Sequence, residues 1–168
     1  MTATDPSEDL VDAHHAIGYA GTWINNADTK AGLLAAALAV VVAGATQQSE
    51  AIQDALRPAN GGEAVALVLL CLLGATVAIA TLGLALATLP RTPPPQAPSR
   101  FGFPTLASPG WRHVPATRAQ AATEAWAQAQ VLSRIAARKY ATLRVAVTAV
   151  FASLPLFAAW SVAAALIR

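Results

Sequence analysis

The sequence predicts an all-α membrane protein with three transmembrane helices, the first and third extended into the cytoplasm as a helix pair. Three observations carry this. Of 168 residues, 55% are hydrophobic and only 12% charged, with a mean hydropathy of +0.48, whereas a soluble domain carries about a quarter charged residues. The uncharged residues gather into three runs of bilayer scale. The charges also separate by sign. Residues 1–30 hold five acids (Asp5, Glu8, Asp9, Asp12, Asp28) against one base, and residues 90–144 hold eight bases against one acid, Glu124. The net charge of +2 and pI near 9.1 therefore describe one region and not the whole chain. A water-soluble enzyme is disfavoured, and the single cysteine, Cys71, excludes an internal disulfide.

Residues 1–30 read as an acidic cytoplasmic helix. It starts at Asp5-Pro6, with Asp as N-cap, Pro in the first turn and Glu8 completing a box-like pair. Ala13, Ile17, Ala20, Ile24, Ala27, Ala31 and Leu34 then recur at alternating four- and three-residue steps, one apolar face that continues into the first span. Gly18 and Gly21 weaken this helix but permit close approach of another backbone. That first span, residues 31–46, has 16 uncharged residues and becomes long enough if Lys30 snorkels to the interface. Residues 47–63 form a short external loop, with Gly61-Gly62 before Glu63 reading as a turn. The second span, residues 64–89, has 26 uncharged residues and implies tilt.

Residues 90–116 hold eight of the eleven prolines, including the run Pro93-Pro94-Pro95, which reads as extended polyproline. Phe101, Phe103 and Trp111 either dip into the interface or cover the helix pair, with a disordered linker as the alternative. Residues 117–144 read as a basic cytoplasmic helix opened by a capping box from Thr117 to Gln120. Its expected packed face is Ala122, Trp126, Ala129, Ser133, Ala136, Tyr140 and Leu143, bordered by Leu132 and Ile135. The third span, residues 145–167, contains Pro155, a potential kink, and is followed by Arg168. Unbroken, a helix over residues 118–167 would be about 75 Å long, with roughly half of it projecting from the bilayer.

Lysine and arginine counts orient the chain. The loop 47–63 has only Arg57, whereas residues 90–144 have eight bases, so the basic segment and the N-terminus are expected in the cytoplasm. The acidic first 30 residues lack the basic region of a secretory signal, so the first span reads as an uncleaved anchor. Both projecting helices then run from cytoplasm into membrane and should be parallel neighbours, steered by complementary charge more than stabilised by it.

Neither a hydrolytic constellation, nor a phosphate-binding glycine loop, nor a dinucleotide fingerprint is present, so the chain is not expected to be an enzyme or to hold a cofactor. His14 and His15 point about 100° apart on a helix and have no cysteine pair beside them, which disfavours a metal site. Two blocks remain. In the first, Trp23 and Lys30 flank Asp28 where charge meets the membrane. An acid there is costly unless paired, so the plain reading is an interfacial anchor with Asp28 paired to a base on the neighbouring helix. In the second, Arg134, Arg138, Lys139, Tyr140 and Arg144 lie at the corresponding depth, and their plain reading is positive charge attracted to anionic lipid.

WINNADTKAGLL, followed much later by LSRIAARKYATLR, resembles the transmembrane effector family of Pycsar anti-phage defence. That family shows a Trp-Ile…Ala-Asp-x-Lys-Ala approach to its first span and a Lys-Tyr helix running into its last. Trp23, Asp28, Lys30, Lys139 and Tyr140 match these motifs, and the layout matches from Ala20 to Arg168. The proline-rich middle loop and the alanine-rich spans depart from it.

The resemblance implies an effector activated by a cyclic pyrimidine mononucleotide, cyclic UMP or cyclic CMP, made by a partner cyclase with no stable complex. It implies impairment of the inner membrane and abortive infection. The expected partners are the bilayer and further copies of the chain in a homo-oligomer, without nucleic acid. There is no separate nucleotide-binding domain, so the helices themselves must sense the ligand.

Chemically, Arg134, Arg138 and Lys139 suit the phosphate, and Trp23 or Tyr140 suits stacking on the base. A ligand bridging the acidic and basic helices would shift how the spans pack. Two other functions remain open on the residues alone, a membrane scaffold recruiting a partner through its helix pair and a holin-like pore.

Overall fold

The computed structural model describes residues 5–89, 99–108 and 117–167, and every element in them is helical. The helices are α1 (Pro6–Thr46), α2 (Ser49–Ala55), α3 (Gly61–Thr88), α4 (Phe103–Leu106) and α5 (Arg118–Leu166). Pro93-Pro94-Pro95, Trp111, Arg168 and the side chain of Phe103 lie outside the described residues. The chain divides into two compact units. Unit 1 takes the described residues of Met1–Ala27 and Leu89–Lys139, and unit 2 those of Asp28–Thr88 and Tyr140–Arg168.

Local chemistry sets the helix starts. At α1 the Ser7 backbone N–H donates to Asp5 Oδ1 at 2.9 Å, and Asp9 N–H reaches the Asp5 carbonyl at 3.0 Å. That bond from Ser7 holds the Asp5 carboxyl below its ordinary pKa. Glu8 stays exposed beside this cap. At α5 the expected capping box is present in both arms: Thr117 N–H donates to Gln120 Oε1 at 3.1 Å and Gln120 N–H to Thr117 Oγ1 at 3.2 Å.

The start of α3 differs from the expected turn. Gly61 and Gly62 are its first two residues, and the cap is Asn60. Glu63 N–H donates to Asn60 Oδ1 at 3.0 Å, Asn60 Nδ2 donates to Glu63 Oε1 at 2.8 Å, and Ala59 N–H donates to Glu63 Oε2. The loop before it also contains α2, whose Ala51 and Ala55 are fully buried. Seven residues give too short a window for periodicity to reveal a helix; burial of its two alanines holds it in place.

The long helices bury residues at alternating three- and four-residue steps, the 3.5-residue repeat by which two helices stay in contact along a seam. On α1 the predicted face holds. Ala13, Ala20, Ala27, Ala31, Leu38 and Val41 are buried, and Ile17, Ile24 and Leu34 half-buried. On α3 the seam is Ala66, Leu70, Leu73, Val77, Ala80, Leu84 and Ala87.

On α5 the predicted face is corrected. Ala125 and Lys139 are buried and Leu132 half-buried, while Trp126 is 42% exposed and Ser133 exposed. The seam therefore runs Ala122, Ala125, Ala129, Leu132, Ala136, Lys139, then Leu143, Ala146, Val150, Ser153, Phe157, Trp160 and Ala164. Starting with a three-residue step puts small Ala125 at the contact, where Trp126 would hold the helices apart.

In unit 2, α1 and α5 run parallel, as the sequence predicts. A Cβ on Gly44 would come within 2.6 Å of the Phe157 ring, and one turn on, Gln48 Nε2 donates to Ser161 Oγ at 3.2 Å. α3 runs antiparallel to α5, with Gly83 against Ala146 and Gly62 near Ile167. α5 continues through Pro155 without a break.

Burial also decides against a soluble bundle. Leu33, Val40, Phe151 and Val162 are each more than 60% exposed on helices long and apolar enough to cross a membrane. Contiguous apolar surface of this extent is at home in lipid. The chain is a membrane protein.

Candidate functional site

Unit 1 brings the acidic start of α1, the basic start of α5 and the segment 99–108 together. The acidic helix meets α5 through an indole: Trp126 Nε1 donates to Asp9 Oδ1 at 2.8 Å. Trp126 keeps its place at the seam edge because its polar handle has this partner. The segment 99–108 is pinned on both helices. Arg100 Nε and Nη2 donate to Glu124 at 3.0 and 3.4 Å, the Arg100 backbone N–H to the same carboxylate at 3.3 Å, and Phe101 meets His14 edge-on at 5.3 Å.

Phe101 thus covers the helix pair, the second of the two expected roles. Glu124, the one acid of the basic region, is the strap's anchor, and its bonds to Arg100 hold its carboxyl below the ordinary range. Within the strap Thr105 is buried, and its Oγ1 accepts from Ser99 N–H at 3.3 Å.

Four of the seven sequence-predicted site residues belong to unit 1. Trp23 is 55% exposed on α1. Arg134 and Arg138 are both exposed on α5 and lie one turn apart, so their guanidinium groups share a face. Lys139 stands apart from them at a seam position, 7% exposed. A buried ammonium needs partners that a solvated one does not, so Lys139 serves the packing of the pair as well as its charge.

The other three belong to unit 2. Lys30 Nζ lies 5.6 Å from the centroid of the half-buried Tyr140 ring, a cation–π contact joining the two motif blocks. Asp28 is half-buried two residues before Lys30. Sequence reasoning placed these three near the membrane boundary; the lysine-over-tyrosine contact itself has no periodic signal and was missed. A depression of about 400 Å³ lined by Gln53, Asp54, Leu56, Arg57, Ala59 and Glu63 lies at the α2–α3 corner and involves none of the seven. Its Glu63 carboxylate is already engaged in capping α3.

This arrangement offers exposed cations on α5 and an exposed aromatic on α1 in unit 1, and a cation stacked on an aromatic in unit 2. No nucleophile–base pair occurs in either set. Guanidinium groups pair with phosphate oxygens, and an aromatic ring offers a face for a flat base.

Comparison with known proteins sets a frame for that chemistry. No curated protein and no solved structure matches the chain. The family model of the Pycsar effector protein domain matches residues 12–167, which include both motif blocks and, apart from the first turns of α1, all three apolar helices. That family has a role in anti-phage cyclic pyrimidine signalling, as a downstream effector rather than a cyclase. By this match over nearly its whole length, the chain belongs to the Pycsar effector protein family.

Proposed function

We propose that this protein is an inner-membrane effector which a cyclic pyrimidine mononucleotide, cyclic UMP or cyclic CMP, switches from a closed bundle to a membrane-impairing state, causing abortive infection. The observation that carries the reading is the family match across residues 12–167, in a chain whose exposed Trp23, Arg134 and Arg138 precede the apolar stretches of α1 and α5. Arg134 and Arg138 receive the ligand's phosphate, and Trp23 stacks on its base. Lys30, Tyr140, Asp28 and Lys139 transmit the change toward the apolar helices. A ligand can drive this only by binding the open arrangement more tightly than the closed one.

The N-terminus and the basic helix face the cytoplasm, where a separate pyrimidine nucleotide cyclase supplies the ligand. Several copies act together in the bilayer. The experiment is the pair Arg134→Ala and Arg138→Ala, both on exposed positions that leave the seam intact. The double variant should insert and fold normally yet lose nucleotide-dependent toxicity in cells; retained toxicity removes the arginines from the site. Toxicity with no cyclic nucleotide present would point instead to a nucleotide-independent pore.

A further inference from the structure

We propose that the α2 end of unit 2 is a hydration gate, a closed apolar corner whose polar groups take up water as the bundle opens. Trp160 is completely buried in a cluster with Val41, Ala51, Ala55, Ala66, Leu73 and Ala164, and its indole N–H has no hydrogen-bond partner among the described residues. Gln48 stands at the turn from α1 to α2. Its Nε2 donates to Ser161, the residue after Trp160, while its Oε1 is buried and likewise without a partner among the described residues. Gln48 is also the residue before α2, yet its side chain makes no capping bond there and turns inward.

One corner of an apolar core therefore holds a donor and an acceptor that both lack partners. Each bears a desolvation penalty, which is why such groups are rare in folded proteins. Two hydroxyls of unit 2 avoid it: the fully buried Ser153 donates to the Val150 carbonyl at 2.7 Å, and Thr81 donates to the Val77 carbonyl at 2.8 Å. A water molecule satisfies an indole donor and an amide acceptor together.

The fold supplies the means of admitting one. α2 covers the corner with Ala51 and Ala55, both packed in the Trp160 cluster. α5 reaches the corner just after Pro155, whose missing N–H leaves the helix a point at which to bend. The closed corner is thus penalised and the open one relieved, a bias toward opening that seam packing holds in check. The trigger rests on the effector reading; the gate does not.

The test uses the full chain in vesicles of phosphatidylethanolamine and phosphatidylglycerol. A Ser161→Cys reporter replaces the native thiol in a Cys71→Ala background, with a charged maleimide on both sides of the bilayer. Labelling should be slow at rest and rise at least tenfold with cyclic UMP or cyclic CMP. Adding Trp160→Phe, which removes the donor, or Gln48→Met, which removes the acceptor, should slow resting labelling at least threefold. A purely packing role predicts the opposite for Trp160→Phe, because the smaller ring loosens the corner and speeds labelling. Unchanged or faster labelling in both variants overturns the gate. Slower labelling in both, with no response to either nucleotide, keeps the gate and overturns the nucleotide trigger.

Discussion

Replacing Gly83 by alanine tests the close approach of α3 and α5 in unit 2. A Cβ there would lie 3.0 Å from Ala146 Cβ and 3.3 Å from both Ala146 Cα and N. Unstrained carbon contacts sit near about 3.5–4.0 Å. Two of these three atoms are backbone, so no rotamer change relieves the clash; α3 and α5 must separate by a few tenths of an ångström. Overpacking of this kind costs about 1–3 kcal/mol.

Gly74 on the same helix is the control, since a Cβ there meets nothing within 4 Å. Alanine at Gly74 gains at most about 1 kcal/mol of helix propensity, and less in lipid or detergent, where helices persist after the bundle separates. In a chain of this size about 1 kcal/mol moves Tm by roughly 2–4 °C. Gly83→Ala should therefore lower Tm by about 2–12 °C, and Gly74→Ala should hold it or raise it by up to about 3 °C. Intrinsic tryptophan fluorescence during thermal unfolding in detergent reads both. Equal shifts would refute the packing of α3 on α5 through Gly83.

Other outcomes follow from the same geometry. Gly44→Ala should destabilise less than Gly83→Ala, because the Phe157 ring it meets can swing aside; a larger Tm loss at Gly44 would contradict this. Thr117→Ala removes a capping box and should cost about 1 kcal/mol, read as faster amide exchange confined to the first turn of α5. Arg100 holds the Glu124 carboxyl below its ordinary value of 4.5, so this contribution is complete above that pH and lost as pH falls through the lower folded value. Arg100→Ala should thus lower Tm slightly at pH 7, by an amount set by about 0–1 kcal/mol, and the gap to the parent should close in strong acid. Lys139→Ala should lower Tm more than Arg134→Ala, because Lys139 occupies the seam; the reverse order would contradict the corrected face of α5.

The sequence was legible where composition and period speak. Three uncharged runs demanded lipid, and the α1 stripe from Ala13 to Leu34 was read in its true register because alanine and isoleucine alternate with clearly polar residues. On α5 the period is ambiguous. Alanines surround every turn there, so two registers look alike, and the larger apolar surface of Trp126 and Tyr140 drew the face toward them. Close packing instead selected the smaller Ala125 and admitted Lys139.

The helix starts at Asp5 and Thr117 were visible because their cap residues precede strong helix formers. The start at Asn60 was hidden by two glycines that usually signal a turn. At the candidate site, the residue types of the two motif blocks were legible, but the stacking of Lys30 on Tyr140 and the strap from Arg100 to Glu124 were not. These contacts join distant parts of the chain, and no local pattern encodes them.

The most direct test of the account is a calorimetric titration of the purified, folded protein in detergent with cyclic UMP, cyclic CMP, cyclic AMP and cyclic GMP. The account predicts saturable binding of a pyrimidine nucleotide, weakened at least tenfold by Arg134→Ala with Arg138→Ala, and no comparable binding of the purine nucleotides. Silence across all four, or purine binding that the arginine variant leaves unchanged, would contradict it.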